Sequence, residues 1–359
     1  MKTNESKQPG IAMIGSGFVA YLHLFGIRSA GLGKFTAIAA YTQEEANQRG
    51  RLFDAEPYSS ARVDELLARP DIDLVIIGSP NKLHAEHAAL AIAADKAILV
   101  EKPLVLAIED AEQLCAAERN GARIGYAENH LFAPIMIKAR ALAAEGAVGR
   151  IRRVTGNFGN PAISSLNWHH APAVAGGGVF VDLGAHIVPG CEFLAGDASI
   201  AEVTRAEMRF DSATGIDIEA KVAFRTESDV ELITESMFGA AGPGCFYEIE
   251  GDAGVLTAHF MPDQELALKG SGSEPQAIAF PSQDDRSLAG RYTRSGYGPQ
   301  IAHFVEAFAS GRAPRLSAPY GRDTLRWLCA GYVAAATGRR VDRDTAMPED
   351  CTPIECGKA

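Results

Sequence analysis

Short apolar runs and segments of helical period take turns over roughly the first 125 residues. Residues 10–14, 35–41, 74–78, 97–100 and 123–126 read as strands apolar enough to be buried on both faces. Residues 19–30, 43–53, 84–94 and 108–120 between them carry helical spacing, and a short helix starts at 64–68 and ends near Pro70. Strands of four or five residues separated by helices predict a parallel sheet covered on both sides. The second half differs. A helix over 132–144, closed by Gly146 and Gly149, precedes longer alternating runs at 150–156, 201–210, 217–225, 230–237 and 245–250. Tight turns such as Gly251-Asp252-Ala253-Gly254 between such runs predict antiparallel pairing. Residues 269–298, rich in Gly, Ser, Pro and charge, read as a long surface loop, and helices at 298–310 and 320–337 close the chain. The change of pattern places a domain boundary near residues 126–130, giving units of 1–126 and 127–359.

Composition narrows the class without naming a ligand. The 359 residues include 45 acidic and 34 basic side chains, a formal charge of −11, with 47% hydrophobic and 22% charged residues. That is an ordinary globular balance, neither disordered nor a disulfide scaffold. With no basic excess to neutralise phosphates, no nucleic-acid partner is expected, and an acidic surface argues against anionic membranes. The polar start and the break of the first apolar run by Gly15, Ser16 and Gly17 do not resemble a signal peptide. No uninterrupted apolar window approaches membrane-spanning length. Six scattered cysteines (Cys115, Cys191, Cys245, Cys329, Cys351, Cys356) lack a C-x-x-C pair and read as reduced thiols. A cytoplasmic protein without a metal centre is expected.

Gly15-Ser16-Gly17-Phe18-Val19-Ala20 follows the first strand and opens the first helix. There a first glycine permits the turn, and a second lets backbone approach a pyrophosphate. A small third residue, here Ala20, lets helix and strand pack closely. The diphosphate would then rest on the free N–H groups of the helix end. The ribose reader, usually acidic and about 20 residues on, falls at Thr42 or its neighbour. Gln43, Glu44 and Glu45 follow, with no arginine before Arg49. NAD and NADP both stay open, with the balance towards NAD.

Three further segments carry a family resemblance: Ser79-Pro80-Asn81-Lys82-Leu83-His84, Glu101-Lys102-Pro103, and Gly176-Gly177-Gly178 leading through Asp182 to His186. Together with the glycine loop they resemble the Gfo/Idh/MocA oxidoreductases, the glucose–fructose oxidoreductase and inositol dehydrogenase family, over nearly the whole chain. The resemblance implies an N-terminal Rossmann domain followed by an α+β domain with a large open, mostly antiparallel sheet. It implies nicotinamide-dependent oxidation or reduction of a sugar or polyol hydroxyl. Cofactor contacts are implied for Gly15, Gly17, Phe18, Val19, Thr42, Ser79, Pro80, Asn81, His84, Glu101 and Lys102. Relatives often pair through the open sheet, so a homodimer or homotetramer is expected.

These residues also make chemical sense by themselves. Lys102, just past a parallel strand, can polarise a substrate oxygen or accept its proton; the bland alternative is a solvent-facing lysine. Asp182 and His186 are four apart, so on a helix they share a face, and an aspartate on one ring nitrogen would leave the other for a substrate proton. Sequence alone does not separate Lys102 from His186 as base; the working hypothesis makes His186 the acid/base and Lys102 its electrostatic partner. Asn129 and Glu128 are candidates for the pocket wall or for a simple linker. Trp168 could stack on a sugar face and His169 could bind its hydroxyls, whereas His169-His170 as metal ligands lack companions. His23 reads equally as a core or a cofactor-side histidine, and Trp327 as core.

One departure concerns the substrate. Polyol-oxidising relatives often carry an acid three positions beyond the histidine, where this chain has Pro189. A modified sugar, a glycoside or a less hydroxylated compound is therefore expected over free inositol. Two other functions compete with a dehydrogenase or reductase: an NAD-dependent glycosidase that oxidises its sugar transiently, and a non-catalytic dinucleotide sensor.

Overall fold

A computed structural model describes residues 8–161, 167–241 and 244–358, so the polar start of the chain lies outside the described residues. Six strands form the first sheet: β1 (Gly10–Ile14), β2 (Lys34–Ala40), β3 (Glu56–Ser59), β4 (Leu74–Ile77), β5 (Ala97–Glu101) and β6 (Ile124–Ala127). They lie in the order β3-β2-β1-β4-β5-β6, all parallel. Every residue of β1, β4, β5 and β6 is buried, which requires cover on both faces. Helices α1 (Phe18–Ala30), α2 (Gln43–Phe53), α3 (Val63–Leu67), α4 (His84–Ala93) and α5 (Ile108–Arg119) alternate with the strands and supply it. The β3 strand was not anticipated. Its four residues include Pro57, which cannot donate to a ladder and is tolerated at the sheet edge that β3 occupies. Strand order reverses between β1 and β4, and a crevice opens beyond the carboxyl ends at such a point.

The chain continues through α6 (Pro134–Ala144), β7 (Ile151–Asn160), α7 (Pro172–Ala175), a π-helical turn at Phe180–Gly184 and α8 (Ala185–Leu194). A strand meander follows: β8 (Ile200–Phe210), β9 (Asp217–Thr226), β10 (Glu231–Phe238), β11 (Gly244–Gly251), β12 (Gly254–Met261), β13 (Glu265–Gly270) and β14 (Gln276–Ala277). Then come α9 (Leu288–Arg294), α10 (Tyr297–Ala309), α11 (Ala318–Thr337), β15 (Val341–Asp342) and α12 (Pro353–Cys356). Nine strands lie in the order β14-β13-β12-β11-β7-β10-β9-β8-β15, antiparallel except for the β7–β10 pair. Residues 269–298 are more structured than a loop, because they hold β14 and α9. Ser287 caps α9 by accepting the Gly290 N–H at 3.0 Å.

Alternation decides which face of this sheet is covered. In β10, Leu232, Thr234, Ser236 and Phe238 point inward while Glu231, Glu235 and Met237 do not. The inner face carries α8, α6 and α11; the outer face keeps pairs such as Arg153–Glu231 and Lys221–Glu235. The last helices return to the first sheet: α10 packs on α1, α11 on α5, and Tyr126 N–H donates to Leu316 O at 3.0 Å. Residues Pro172–Leu194 have the length and apolar character to cross a bilayer. Yet 83% of their most apolar window is buried inside the fold, so they serve as core.

Candidate active site

The crevice at the strand-order reversal is built on two glycines. Gly15 has φ +119°, and a Cβ there would stand 2.2 Å from Gly78 O, so only glycine lets the turn after β1 lie against the end of β4. Gly17 is the N-cap of α1, and a Cβ on it would meet no protein atom within 4 Å. The helix end therefore opens onto free space, with Phe18 exposed beside it. A free N-terminus behind a glycine cradle fits a dinucleotide pyrophosphate. The Thr42 hydroxyl accepts the Glu45 N–H at 3.2 Å and caps α2, keeping its own proton to donate. The Glu45 carboxylate turns back instead to the glycine loop, 2.6 Å from Ser16 Oγ.

The turns after β4 and β5 are tied together by the polar groups expected to face the cofactor. His84 lies with Nδ1 2.8 Å from Pro103 O and Nε2 2.9 Å from Ser79 O. Burial lowers its pKa against the pull of the two carbonyls, and the neutral ring, with one N–H, donates to only one of them at a time. Ser79 Oγ meets His87 Nδ1 at 2.9 Å, and the Asn81 amide donates to Ala175 O at 2.8 Å. Glu101 is turned inward, with Oε1 2.6 Å from His23 Nε2 and Oε2 accepting the Lys102 N–H. These side chains shape the cradle, and His23 is fully buried core.

Lys102 Nζ donates to the Asp182 backbone carbonyl at 2.8 Å and to its carboxylate at 2.6 Å. The expected Asp182–His186 contact is replaced. Residues 180–184 wind as a π turn, whose i→i+5 bonding rotates positions four apart off a common face. His186 instead places Nδ1 2.7 Å from Glu128 Oε2, and the other Glu128 oxygen accepts the His130 N–H at 3.1 Å. The His130 ring stacks on His186 with centroids 4.5 Å apart, and its Nδ1 meets Tyr247 Oη at 2.9 Å. Side-chain exposure sorts the roles. Lys102 (16%), Asp182 (25%) and His186 (11%) keep an open edge, while Glu128 (0%) has none.

Charge follows from that packing. Burial works against the Lys102 ammonium, but Asp182 beside it more than compensates and the pKa is raised. Asp182 is lowered in turn, because Lys102 outweighs its own burial. Burial, reinforced by the Lys102 charge, drops His186 to about 3, and burial raises Glu128 to about 7. At neutral pH the site thus holds a charged lysine beside a neutral imidazole.

A buried aspartate anchors the segment carrying these groups. Gly178 and Phe180 donate their N–H groups to Asp217 at 2.6 and 2.7 Å, and Tyr332 donates its hydroxyl to the same carboxylate. A Cβ at Gly178 would lie 1.9 Å from Asp217 O, which explains the last glycine of the triplet. Trp168 and His169 pack ring to ring at 3.7 Å, and His169 lies within electrostatic range of Asp182 and Lys102. Asn129 is buried, and its amide N–H donates to Ser295 O at 2.6 Å, bracing the turn between α9 and α10.

Residues 10–129 match the family model described as an oxidoreductase family with an NAD-binding Rossmann fold, and residues 136–257 match the GFO/IDH/MocA C-terminal domain. The chain belongs to the Gfo/Idh/MocA oxidoreductase family. Its relatives include a 1,5-anhydro-D-fructose reductase of Ensifer adhaerens, 26% identical over 80% of this chain and 85% of that one. A D-apiose dehydrogenase of Paraburkholderia graminis is 26% identical over 92% and 88%. Among solved structures, GenD2 from gentamicin A biosynthesis, in complex with NAD, superposes with TM-score 0.82 at 25% identity, covering 95% of this chain and 97% of its own. As a Gfo/Idh/MocA protein the chain is an NAD-binding dehydrogenase or reductase.

Three groups in this Gfo/Idh/MocA site were not assigned from the sequence. Glu128 was only a wall candidate, and His130 and Asp217 carried no role. Glu128-Asn129-His130 follow the last strand of the parallel sheet, the one local signal that could have marked them. Glu128, His130 and His186 also place three ligand-type atoms within 4.8 Å of one another. Hydrogen bonds among them and to Tyr247 account for that closeness.

Proposed function

We propose that this chain moves a hydride between a nicotinamide and a secondary alcohol or ketone of a sugar, a glycoside or a sugar-like compound. The observation that carries this reading is the His186 ring, held through Nδ1 by Glu128, beside the Lys102 side chain paired with Asp182. In the oxidative direction His186 Nε2 takes the hydroxyl proton as general base. Lys102 steadies the negative charge that gathers on the same oxygen. Asp182 keeps Lys102 charged and aimed, and is the third member of the set. When bound, the nicotinamide supplies the hydride acceptor or donor. Gly15, Gly17, Phe18, Val19 and Pro80 would hold the dinucleotide chiefly through backbone.

Trp168 and His169 sit at the rim as the substrate contacts, an aromatic face and a hydrogen-bonding ring. Pro189 removes the acid that would grip a further hydroxyl, which favours a modified sugar or glycoside. Residues 1–126 act as the cofactor unit and 127–359 as the substrate and assembly unit. The accessible outer face of the nine-stranded sheet is the surface through which copies pair. A cytoplasmic location belongs to the same reading. No site feature and neither named relative favours the glycosidase or the sensor.

A panel of sugars, 1,5-anhydro sugars and glycosides, each with NAD+ and with the corresponding ketose and NADH, tests the proposal. Cofactor turnover with at least one member, lost in His186→Ala, is expected. Release of aglycone from a chromogenic glycoside without net NADH would replace it with the glycosidase.

A further inference from the structure

We propose that Glu45 is the carboxylate that reads the adenosine ribose and selects NAD over its 2′-phosphorylated form. The inference rests on the dinucleotide site described above and is independent of which sugar is used. Dinucleotide-binding sheets usually place an acid at the end of the second strand to accept the ribose hydroxyls and repel a 2′-phosphate. That place is filled here by Ala40, Tyr41 and Thr42. Ala40 has no polar side chain, Tyr41 is 83% exposed, and Thr42 is an uncharged hydroxyl that caps α2. None of the three supplies the anionic acceptor.

Glu45 does. It stands in the first turn of α2, and its Oε1 accepts the hydroxyl proton of Ser16 at 2.6 Å, across 29 residues of sequence. Ser16 is the residue between the two glycines of the loop, is itself buried, and fixes the carboxylate at the edge of the cradle. Among the described residues the second oxygen, Oε2, makes no hydrogen bond, so an acceptor is presented to a ribose diol. The nearby cation does not cancel this charge by pairing with it. Arg49 Nε donates to Ser16 O at 3.0 Å, another of its nitrogens donates to Tyr21 Oη, and the guanidinium lies over the Tyr21 ring at 5.1 Å. Glu44 adds a second negative charge to the same helix turn. A 2′-phosphate brought to this edge meets like charge, and specificity against it is a repulsive device.

Titration of the purified protein with NAD+, NADP+, ADP-ribose and 2′-phospho-ADP-ribose, followed calorimetrically with no sugar present, tests the assignment. The wild type is expected to bind NAD+ about tenfold or more tighter than NADP+, the scale of one hydrogen bond to a charged group. In Glu45→Gln, which keeps an acceptor for Ser16 but no charge, the two affinities should converge to within about threefold. Arg49→Gln should leave the wild-type order in place, and melting curves confirm that both variants fold. An unchanged NAD+/NADP+ ratio in Glu45→Gln overturns the inference. So does a wild type that prefers NADP+ and loses that preference in Arg49→Gln. If neither dinucleotide binds the folded wild type, the dinucleotide site itself is wrong and the inference falls with it.

Discussion

Glu128 Oε2 lies 2.7 Å from His186 Nδ1, joining the end of the parallel sheet to the helix of the second half across 58 residues. Once Glu128 is ionised, above its pKa of about 7, the contact makes Nδ1 the donor and leaves Nε2 at the open edge as acceptor, the tautomer a base needs. Because Glu128 is wholly buried, it acts on the chemistry through its neighbours, His186 by contact and Lys102 by charge.

Replacing Glu128 should therefore damage turnover more than binding. In Glu128→Gln the amide holds the ring less well and no longer stabilises the imidazolium, so kcat should fall about 10- to 100-fold with little change in KM, the usual cost of losing a carboxylate behind a histidine. His186→Ala should cost about 10²- to 10⁴-fold. Steady-state kinetics on both variants check this; a Glu128→Gln enzyme with wild-type kcat would remove Glu128 from the site.

Asp182 has a different task, and pH separates it from Glu128. It holds the Lys102 pKa up against burial, so in Asp182→Asn burial prevails and Lys102 loses its proton at lower pH. The alkaline limb of kcat/KM should then move down by about one unit or more, each unit being worth about 1.4 kcal/mol. An unmoved alkaline limb would mean that the Lys102 charge is not what the reaction uses.

The strand–helix alternation and the glycine loop were legible in the sequence, because both are local: periodicity within ten residues, and a turn that only glycine permits. The Lys102, Asp182 and His186 set was legible as residue types but not as pairs. Four-residue spacing implied a shared helical face, and the π turn at 180–184 removed it. Thr42, Ser79, Asn81 and His84 show the same limit. Each stands in the predicted segment, yet its side chain bonds to the protein, a choice made by partners 3 to 94 residues away. Glu128 and Asp217 matter through contacts 58 and 39 residues distant, for which no local pattern exists.

Asp217 should prove structural. Its carboxylate takes two backbone N–H groups and the Tyr332 hydroxyl in a fully buried place. Asp217→Ala strands those donors and should cost roughly 3 kcal/mol, whereas Tyr332→Phe removes one of them for roughly 1 kcal/mol. Denaturant unfolding measures both, and equal small losses would show that the turn before Asp182 is held by something else.

Gly17→Ala should separate folding from cofactor binding. A Cβ at this N-cap meets no protein atom within 4 Å, so stability should drop by less than about 1 kcal/mol, the penalty of a poorer cap. The same methyl group enters the space left for the pyrophosphate, and NAD+ affinity should fall about tenfold or more. A thermal melt and a binding titration on one sample decide it; wild-type affinity would place the phosphates elsewhere.

Acid stability tests the charge state of the buried network. Burial raises Glu128 from 4.5 to about 7, so between those values the folded protein holds a proton that the unfolded chain has released. That contribution is fully present below pH 4.5 and is lost as pH rises through 7. His130, lowered by burial from 6.5 to about 3, has the opposite sign: below 6.5 the unfolded chain takes up a proton that the folded ring refuses. Other buried groups titrate as well, so differences between variants and wild type isolate the pair. Relative to wild type, Glu128→Gln should lose roughly 3 kcal/mol of stability between pH 7 and 4.5, at about 1.4 kcal/mol per unit. His130→Phe should gain relative to wild type over pH 6.5 to 4.5. Urea titrations across that range read both slopes, and a Glu128→Gln variant that gains on acidification would show that Glu128 is charged in the folded protein and that His186 carries the matching proton.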